Sequence, residues 1–279
     1  MRLGIVGTGY VGSAIQFGFC DTYSIGTYDI KNESTHSSIS ELCQYSEIIF
    51  VCVPTPMNAD GSCDTSIVEE VVSQVSQSGL GNTVVIKSTV IPGTTEGLAN
   101  KYKNIKLVFS PEFLTEANHI EDFVKSNRII FGGSRSVLQR LEEVYRTAYP
   151  DKTYIHTDFT TAETVKYFAN SFLATKVSFA NEMSQVCQRL NIHYEKVLEM
   201  VLLDDRIGKS HFKVPGPDGL SGFGGKCFPK DLNSFKNFID SLGIEPTVLR
   251  AVWKKNLEVR EDRDWLRIDG VIAKEKDNE

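Results

Sequence analysis

Hydrophobic positions in the first part of the chain fall into short β-rich runs: Arg2–Val6, Ser24–Tyr28, Ile48–Val53, Thr83–Lys87, Leu107–Phe109, Arg128–Phe131 and Thr153–His156. Between several of them, Tyr10–Phe19, Thr65–Gln77 and Ser136–Thr147 carry apolar residues at helical spacing. This alternation predicts a mostly parallel sheet with helices on both faces. After His156 the pattern changes. Thr160–Leu190 contains no glycine or proline and predicts one long helix, with Thr160 or Thr161 as N-cap. Further helices are predicted over Tyr194–Leu202, Lys230–Leu242 and Pro246–Trp265. The Gly/Pro-rich stretch Gly208–Gly225 is too long for a mere connector, which marks it as functional.

Composition narrows the partners. The 30 Lys+Arg against 36 Asp+Glu give a net charge of −6, and without a basic run neither nucleic acid nor an anionic membrane is an expected partner. A small anionic ligand is compatible with this balance. No apolar run approaches the roughly 18 residues of a membrane span, and the glycine-broken start MRLGIVGTGYVG reads as a first strand and turn rather than a signal peptide. The six cysteines are scattered without a CxxC pair. No metal site is therefore expected, and a cytoplasmic protein with reduced thiols is the expectation.

GIVGTGYVGSA places Gly7-x-Gly9-x-x-Gly12 directly after a strand and before a helix. In that context Gly7 permits the tight turn, Gly9 lets the backbone approach a pyrophosphate, and Gly12 lets the helix pack closely. Asp29 ends the second strand about 20 residues on, where a carboxylate accepts from ribose hydroxyls and repels a 2′-phosphate; this favours NAD over NADP. An aspartate closing a strand is, by itself, often only a turn residue. The expected fold class is α/β. It comprises a Rossmann-type NAD-binding domain over 1–158, an all-helical domain with a long central helix over 159–265, and a polar tail over 266–279 whose end, IAKEKDNE, is expected to fray.

SGFGGKCFPKD sets Cys227 among glycines, beside Lys226 and Lys230. Pro229 suits a helix start, and a thiol just before that helix, with two cations near it, has reason to become a thiolate. Read alone, Cys227 is either such a nucleophile or a small buried hydrophobe at a turn.

GFGGKCFPKD, LLDDRIG, GTGYVG, CVPTPMNADGSCD, KSTVIPGT, SPEFLTEA and KYFANSFLATKVSFANE together resemble, in order, the motifs of the UDP-glucose/GDP-mannose 6-dehydrogenase family. The resemblance covers about Met1 to Val259. It implies NAD-dependent oxidation of a nucleotide-sugar C6 hydroxyl to a carboxylate, without a metal, UDP-glucose being the substrate expected first. By resemblance, Lys166 and Asn170 steady alkoxide charge, Cys227 captures the aldehyde and carries a thioester, and Glu112, acting through a water with Thr89, is the base for hydrolysis. Asp231 positions lysine and water. The resemblance adds Tyr10, Val11, Thr89 and Glu116 to the cofactor set. It assigns Phe113, Leu114, Gly222, Gly224 and Gly225 to the sugar-nucleotide pocket, together with Lys166 and Asn170. Arg206 matches an arginine that reaches the neighbouring subunit's substrate, so a homodimer through the helical domain is expected. As isolated residues, Glu112 and Asp231 would more often be helix-start carboxylates, and Arg206 a surface partner of Asp204 or Asp205.

Family members carry a third, C-terminal α/β domain that clasps the nucleotide. The sequence ends soon after TVLRAVWKKNLEVRE, so that domain is expected to have no counterpart here. Two other readings stand beside the enzyme: an NAD-binding regulatory or interaction subunit, and a single-step dehydrogenase of the β-hydroxyacid type, which has no use for a nucleophilic cysteine.

Overall fold

The computed structural model describes residues 1–273. The chain divides into two compact units, one of residues 1–55 and 64–166, the other of residues 56–63 and the chain from Tyr167 onward.

The first unit is built on one seven-stranded sheet: β1 (Arg2–Val6), β2 (Ser24–Tyr28), β3 (Ile48–Val51), β4 (Thr83–Ile86), β5 (Lys106–Phe109), β6 (Arg128–Gly133) and β7 (Thr153–Thr157). The order is β2-β1-β3-β4-β5-β6-β7, and every neighbouring pair is parallel except β5 with β6. Its helices are α1 (Tyr10–Phe19), α2 (Ile39–Tyr45), α3 (Ser66–Gln77), α4 (Thr94–Lys101), α5 (His119–Lys125) and α6 (Arg135–Ala148). Successive strand residues point to opposite faces, and the core divides accordingly. Ile49, Val51, Val84 and Ile86 pack with α2, α3 and α4 through Leu42, Val68, Val72 and Leu98. Ile48, Phe50, Val85 and Val108 pack with α1, α5 and α6 through Ile15, Phe19, Phe123 and Leu141. Because both faces are covered, β3 and β4 are apolar at nearly every position, as IIFV and TVVI. The strand order reverses beside β1, and the crevice at the carboxyl ends of β1 and β3 is where such sheets bind dinucleotides.

Helix α7 (Phe159–Arg189) is followed by α8 (Tyr194–Val201), α9 (Phe228–Ser241) and α10 (Thr247–Val259). In the second unit, Ala174, Phe223, Leu232 and Val252 form one buried cluster and Ala180, Cys187, Tyr194 and Phe212 another. Small residues on α7 allow close approach of α10: the Ser178 hydroxyl donates to the Val252 carbonyl at 3.0 Å. Among the described residues, no helix is long and apolar enough to cross a membrane.

Three expectations are corrected. The cap of α7 is Asp158, not Thr160 or Thr161; its carboxylate accepts from Thr161 N at 2.8 Å and from Thr161 Oγ1 at 2.7 Å. The last helix ends at Val259 rather than Trp265, because Arg260 turns its guanidinium inward, 1% exposed, onto Asp218 and Asp264. Of the stretch expected to fray, IAKEKDNE, the described Ile272 and Ala273 are instead held against Met57. Trp265 and Val271 are buried, Met57 N donates to Val271 O at 2.7 Å, and Ala273 N donates to Met57 O at 2.9 Å. The rest of the expected polar tail, 274–279, lies outside the described residues.

Candidate active site

The nucleotide cradle lies in the first unit. Gly7 has φ +90°, and its N–H donates to Tyr28 O at 2.9 Å. A Cβ on Gly12 would collide with the Gly7 carbonyl oxygen, whereas a Cβ on Gly9 would meet nothing within 4 Å. Gly12 is thus a packing glycine, and Gly9 leaves the open space into which a diphosphate fits. Gly9 caps α1 without a side chain, and the first turn, which includes Tyr10 and Val11, carries no acid. No acid of the helix's own first turn opposes its positive end, which suits an anion. Asp29 Oδ2 accepts from Thr8 N at 2.7 Å and Thr8 Oγ1 at 3.0 Å, while Oδ1 accepts from Lys31 N at 2.8 Å and Asn32 N at 3.1 Å. Partial burial would raise the Asp29 carboxyl, but these donors outweigh it and hold the group below its ordinary value. The anionic acceptor at the end of β2 is thereby fixed against the glycine turn. These residues fit NAD.

A second cluster surrounds the turn after β5. Glu112, Phe113, Leu114 and Glu116 are all half-buried there, and Thr89 is half-buried beyond β4. Glu112 Oε1 accepts from Phe113 N at 3.0 Å. Lys166, buried on α7, donates through Nζ to the Glu112 carbonyl and lies 5.6 Å from the Phe113 ring centre. Lys87, which sequence reasoning missed, is ion-paired with Glu112 Oε2 at 3.1 Å. The lysine stands in plain sight in KSTVIPGT, but only the β4–β5 pairing reveals what it faces.

In the second unit, Cys227 is the N-cap residue of α9, with Pro229 in the first turn. Its carbonyl accepts from Asp231 N at 2.8 Å. Asp231 is 1% exposed; Oδ2 accepts from Asn170 Nδ2 at 2.6 Å, and Oδ1 accepts from Lys230 Nζ at 2.6 Å. Burial would lower the Lys230 ammonium, but the Asp231 carboxylate and the Cys63 and Cys227 sulfurs outweigh it and hold it above its ordinary value. Lys230 is thus a cation near the Cys227 sulfur. Lys166 and Asn170 stand one turn apart on α7.

The glycine loop before Cys227 is pinned by side chains that the sequence did not flag. Gly222 N donates to Asn181 Oδ1 at 3.1 Å, Phe223 N to Asn256 Oδ1 at 2.7 Å, and Gly225 N to Asp264 Oδ2 at 3.0 Å. A Cβ on Gly224 would strike Arg260 and Asp264. Arg206 stands apart from this cluster, 89% exposed, with its guanidinium on Asp204.

The first unit thus holds a dinucleotide cradle on a doubly wound sheet, and the second a cysteine at a helix start beside a buried lysine–aspartate pair. Residues 27–149 match the UDP-glucose/GDP-mannose dehydrogenase family, NAD binding domain, and residues 160–258 match the central domain of the same family. A UDP-glucose 6-dehydrogenase of Rickettsia bellii is 35% identical over 247 residues, 85% of this chain and 54% of that protein. One from Rickettsia felis is 36% identical over 76% of this chain and 48% of that protein. The solved structure of a UDP-glucose dehydrogenase from Pyrobaculum islandicum superimposes with a TM-score of 0.84 at 32% identity, covering 92% of this chain and 68% of that one. The chain belongs to the UDP-glucose/GDP-mannose dehydrogenase family, and NAD is its cofactor. It spans about half the length of the curated relatives it matches.

Proposed function

We propose that the protein oxidises the C6 hydroxyl of a nucleotide sugar, UDP-glucose first among candidates, to the carboxylate in two steps. The observation that carries the reading is Cys227 at the N-cap of α9 beside the buried Lys230–Asp231–Asn170 network. NAD, when bound, supplies the acceptor for the hydride that leaves C6 in each oxidation.

Lys166 and Asn170 steady the alkoxide as the hydroxyl loses its proton. The Cys227 thiolate adds to the aldehyde carbon, and the former aldehyde oxygen takes a proton, giving a thiohemiacetal. Loss of the second hydride from C6, with release of the thiohemiacetal hydroxyl proton to water, leaves a thioester on the Cys227 sulfur. Glu112, assisted by Thr89, takes a proton from water; the water oxygen attacks the thioester carbon, and the C–S bond breaks to release the carboxylate and the thiolate. Asp231 holds Asn170 and Lys230 in place throughout. The sum is one hydroxymethyl group, two NAD and one water going to one carboxylate, two NADH and three protons.

Phe113, Leu114 and the glycines Gly222, Gly224 and Gly225 are assigned to sugar-nucleotide contacts, and Glu116, Tyr10 and Val11 to the cofactor. We assign a homodimer as well. Phe168, Phe172, Phe179 and Val186 are exposed at 67, 57, 56 and 45%, and steps of four and seven residues keep them on one face of α7. A second copy would cover that face, and Arg206, exposed and paired with Asp204, would serve the partner's substrate. Cysteines without disulfides agree with a reducing, cytoplasmic setting.

The test supplies NAD and a panel of nucleotide sugars and follows NADH. Two NADH per sugar support the reading. NAD binding without turnover supports an interaction subunit instead, and one NADH per molecule of a small hydroxy acid supports the single-step alternative.

A further inference from the structure

Lys87 is the residue after β4, and β4 pairs with β5 in the register Ile86↔Phe109. Ser110 N continues that pairing by donating to Ile86 O at 2.9 Å, which sets Lys87 beside the Ser110–Pro111–Glu112 turn. The lysine is 4% exposed. Its Nζ lies 3.1 Å from Ser110 Oγ, 3.4 Å from Pro111 O and 3.1 Å from Glu112 Oε2. An ammonium has three N–H donors, and three successive residues of this turn take them. The other carboxylate oxygen of Glu112 is held by Phe113 N at 3.0 Å. Each oxygen therefore has a fixed partner, and the side chain is confined to one orientation. A cavity of about 20 Å³, lined by Lys87, Glu112, Ser126, Arg128 and Tyr145 among others, adjoins the carboxylate. An unanchored Glu112 would have room to turn away.

Resting on the reading of Glu112 as the base that activates water, we propose that Lys87 is a positioning residue for thioester hydrolysis: it aims the Glu112 carboxylate and keeps it from turning into the adjoining cavity. Lys87 touches no reacting atom in this scheme. Both hydride transfers precede the step it serves, so its loss slows hydrolysis and spares what comes before.

The test mixes the full chain with NAD and UDP-glucose, records NADH through the first turnover and into the steady state, and weighs the Cys227 peptide after quenching. Lys87→Met is expected to give a first burst of two NADH per site at nearly the unsubstituted rate. A steady state roughly 30-fold slower then follows, with the acyl group retained on Cys227. Lys87→Gln stays polar but is shorter and loses the charge, and carries the same readout where Lys87→Met does not fold. Lys87→Arg is expected to recover part of the hydrolysis rate. Burst and steady state falling together, or a steady state within about threefold of the unsubstituted protein, would overturn the proposal. An unsubstituted protein that forms no NADH overturns the reading of Glu112 and this proposal with it; turnover that Lys87→Met leaves unchanged overturns this proposal alone.

Discussion

Asn170 Nδ2 donates to Asp231 Oδ2 at 2.6 Å, a buried bond between α7 and α9 that spans 61 residues of chain. The same carboxylate takes Lys230 Nζ on its other oxygen. One aspartate thus joins the helix that carries Asn170 to the turn that carries Cys227, and its loss affects more than one partner.

Asp231→Ala leaves the Lys230 ammonium buried without its carboxylate and is expected to cost about 3–5 kcal/mol of stability. Asn170→Ala removes one donor to a carboxylate that keeps its lysine and should cost about 1–3 kcal/mol. Urea denaturation of the two variants checks the ranking. A larger loss for Asn170→Ala than for Asp231→Ala would contradict the network as described.

The glycines of the first turn should separate folding from cofactor binding. Gly12→Ala drives a Cβ into the Gly7 carbonyl, so destabilisation of about 2 kcal/mol or more is expected. Gly9→Ala meets nothing in the chain itself and should leave the melting temperature within a degree or two while weakening NAD binding roughly tenfold, about 1.4 kcal/mol. Calorimetric titration with NAD, beside thermal denaturation, distinguishes the two effects. Equal NAD affinity in Gly9→Ala would remove Gly9 from the cradle.

A third prediction concerns acid. Burial first, and then the Lys176 charge, hold the His211 imidazole below its ordinary value of 6.5. Between its folded value and 6.5, the unfolded chain binds more protons than the folded one, so stability rises with pH across that interval. Its contribution is complete above pH 6.5 and is lost as the pH falls below it. His211 also has φ +67°, a conformation that asparagine tolerates. His211→Asn should therefore flatten the loss of stability below pH 6.5, measured by urea denaturation across that range. An unchanged slope would mean that His211 does not titrate as a buried group.

Legibility from sequence followed the kind of signal each element carried. Strands such as IIFV announce themselves because both faces of the sheet are covered, so nothing polar interrupts them. The long α7 was readable from 31 residues without a break. Helices α2 and α5 were not, since each spans only 7 residues and is held by packing rather than by a periodic stripe. The antiparallel entry of β6 carries no local signature at all. Within the candidate site, motif residues were legible as single letters, but their supports were not. Arg260 sits in VREDRDW, which reads as a solvated run; in the fold its side chain is 1% exposed and braces Asp264, which holds the Gly225 N–H. Lys87 and Asn256 likewise acquire meaning only once distant segments are paired. Sequence spacing reports neighbours along an element, and these contacts lie across elements.

We propose that Cys227 carries the sugar as a thioester. It is tested most directly by weighing the Cys227 peptide of Glu112→Gln after brief reaction with NAD and UDP-glucose. Expected are two NADH per site, an added mass on that peptide equal to the UDP-linked uronyl group, and neither the mass nor the second NADH in Cys227→Ala. Full turnover by Cys227→Ala, or product formed by the unsubstituted protein with Glu112→Gln never acylated, would contradict it.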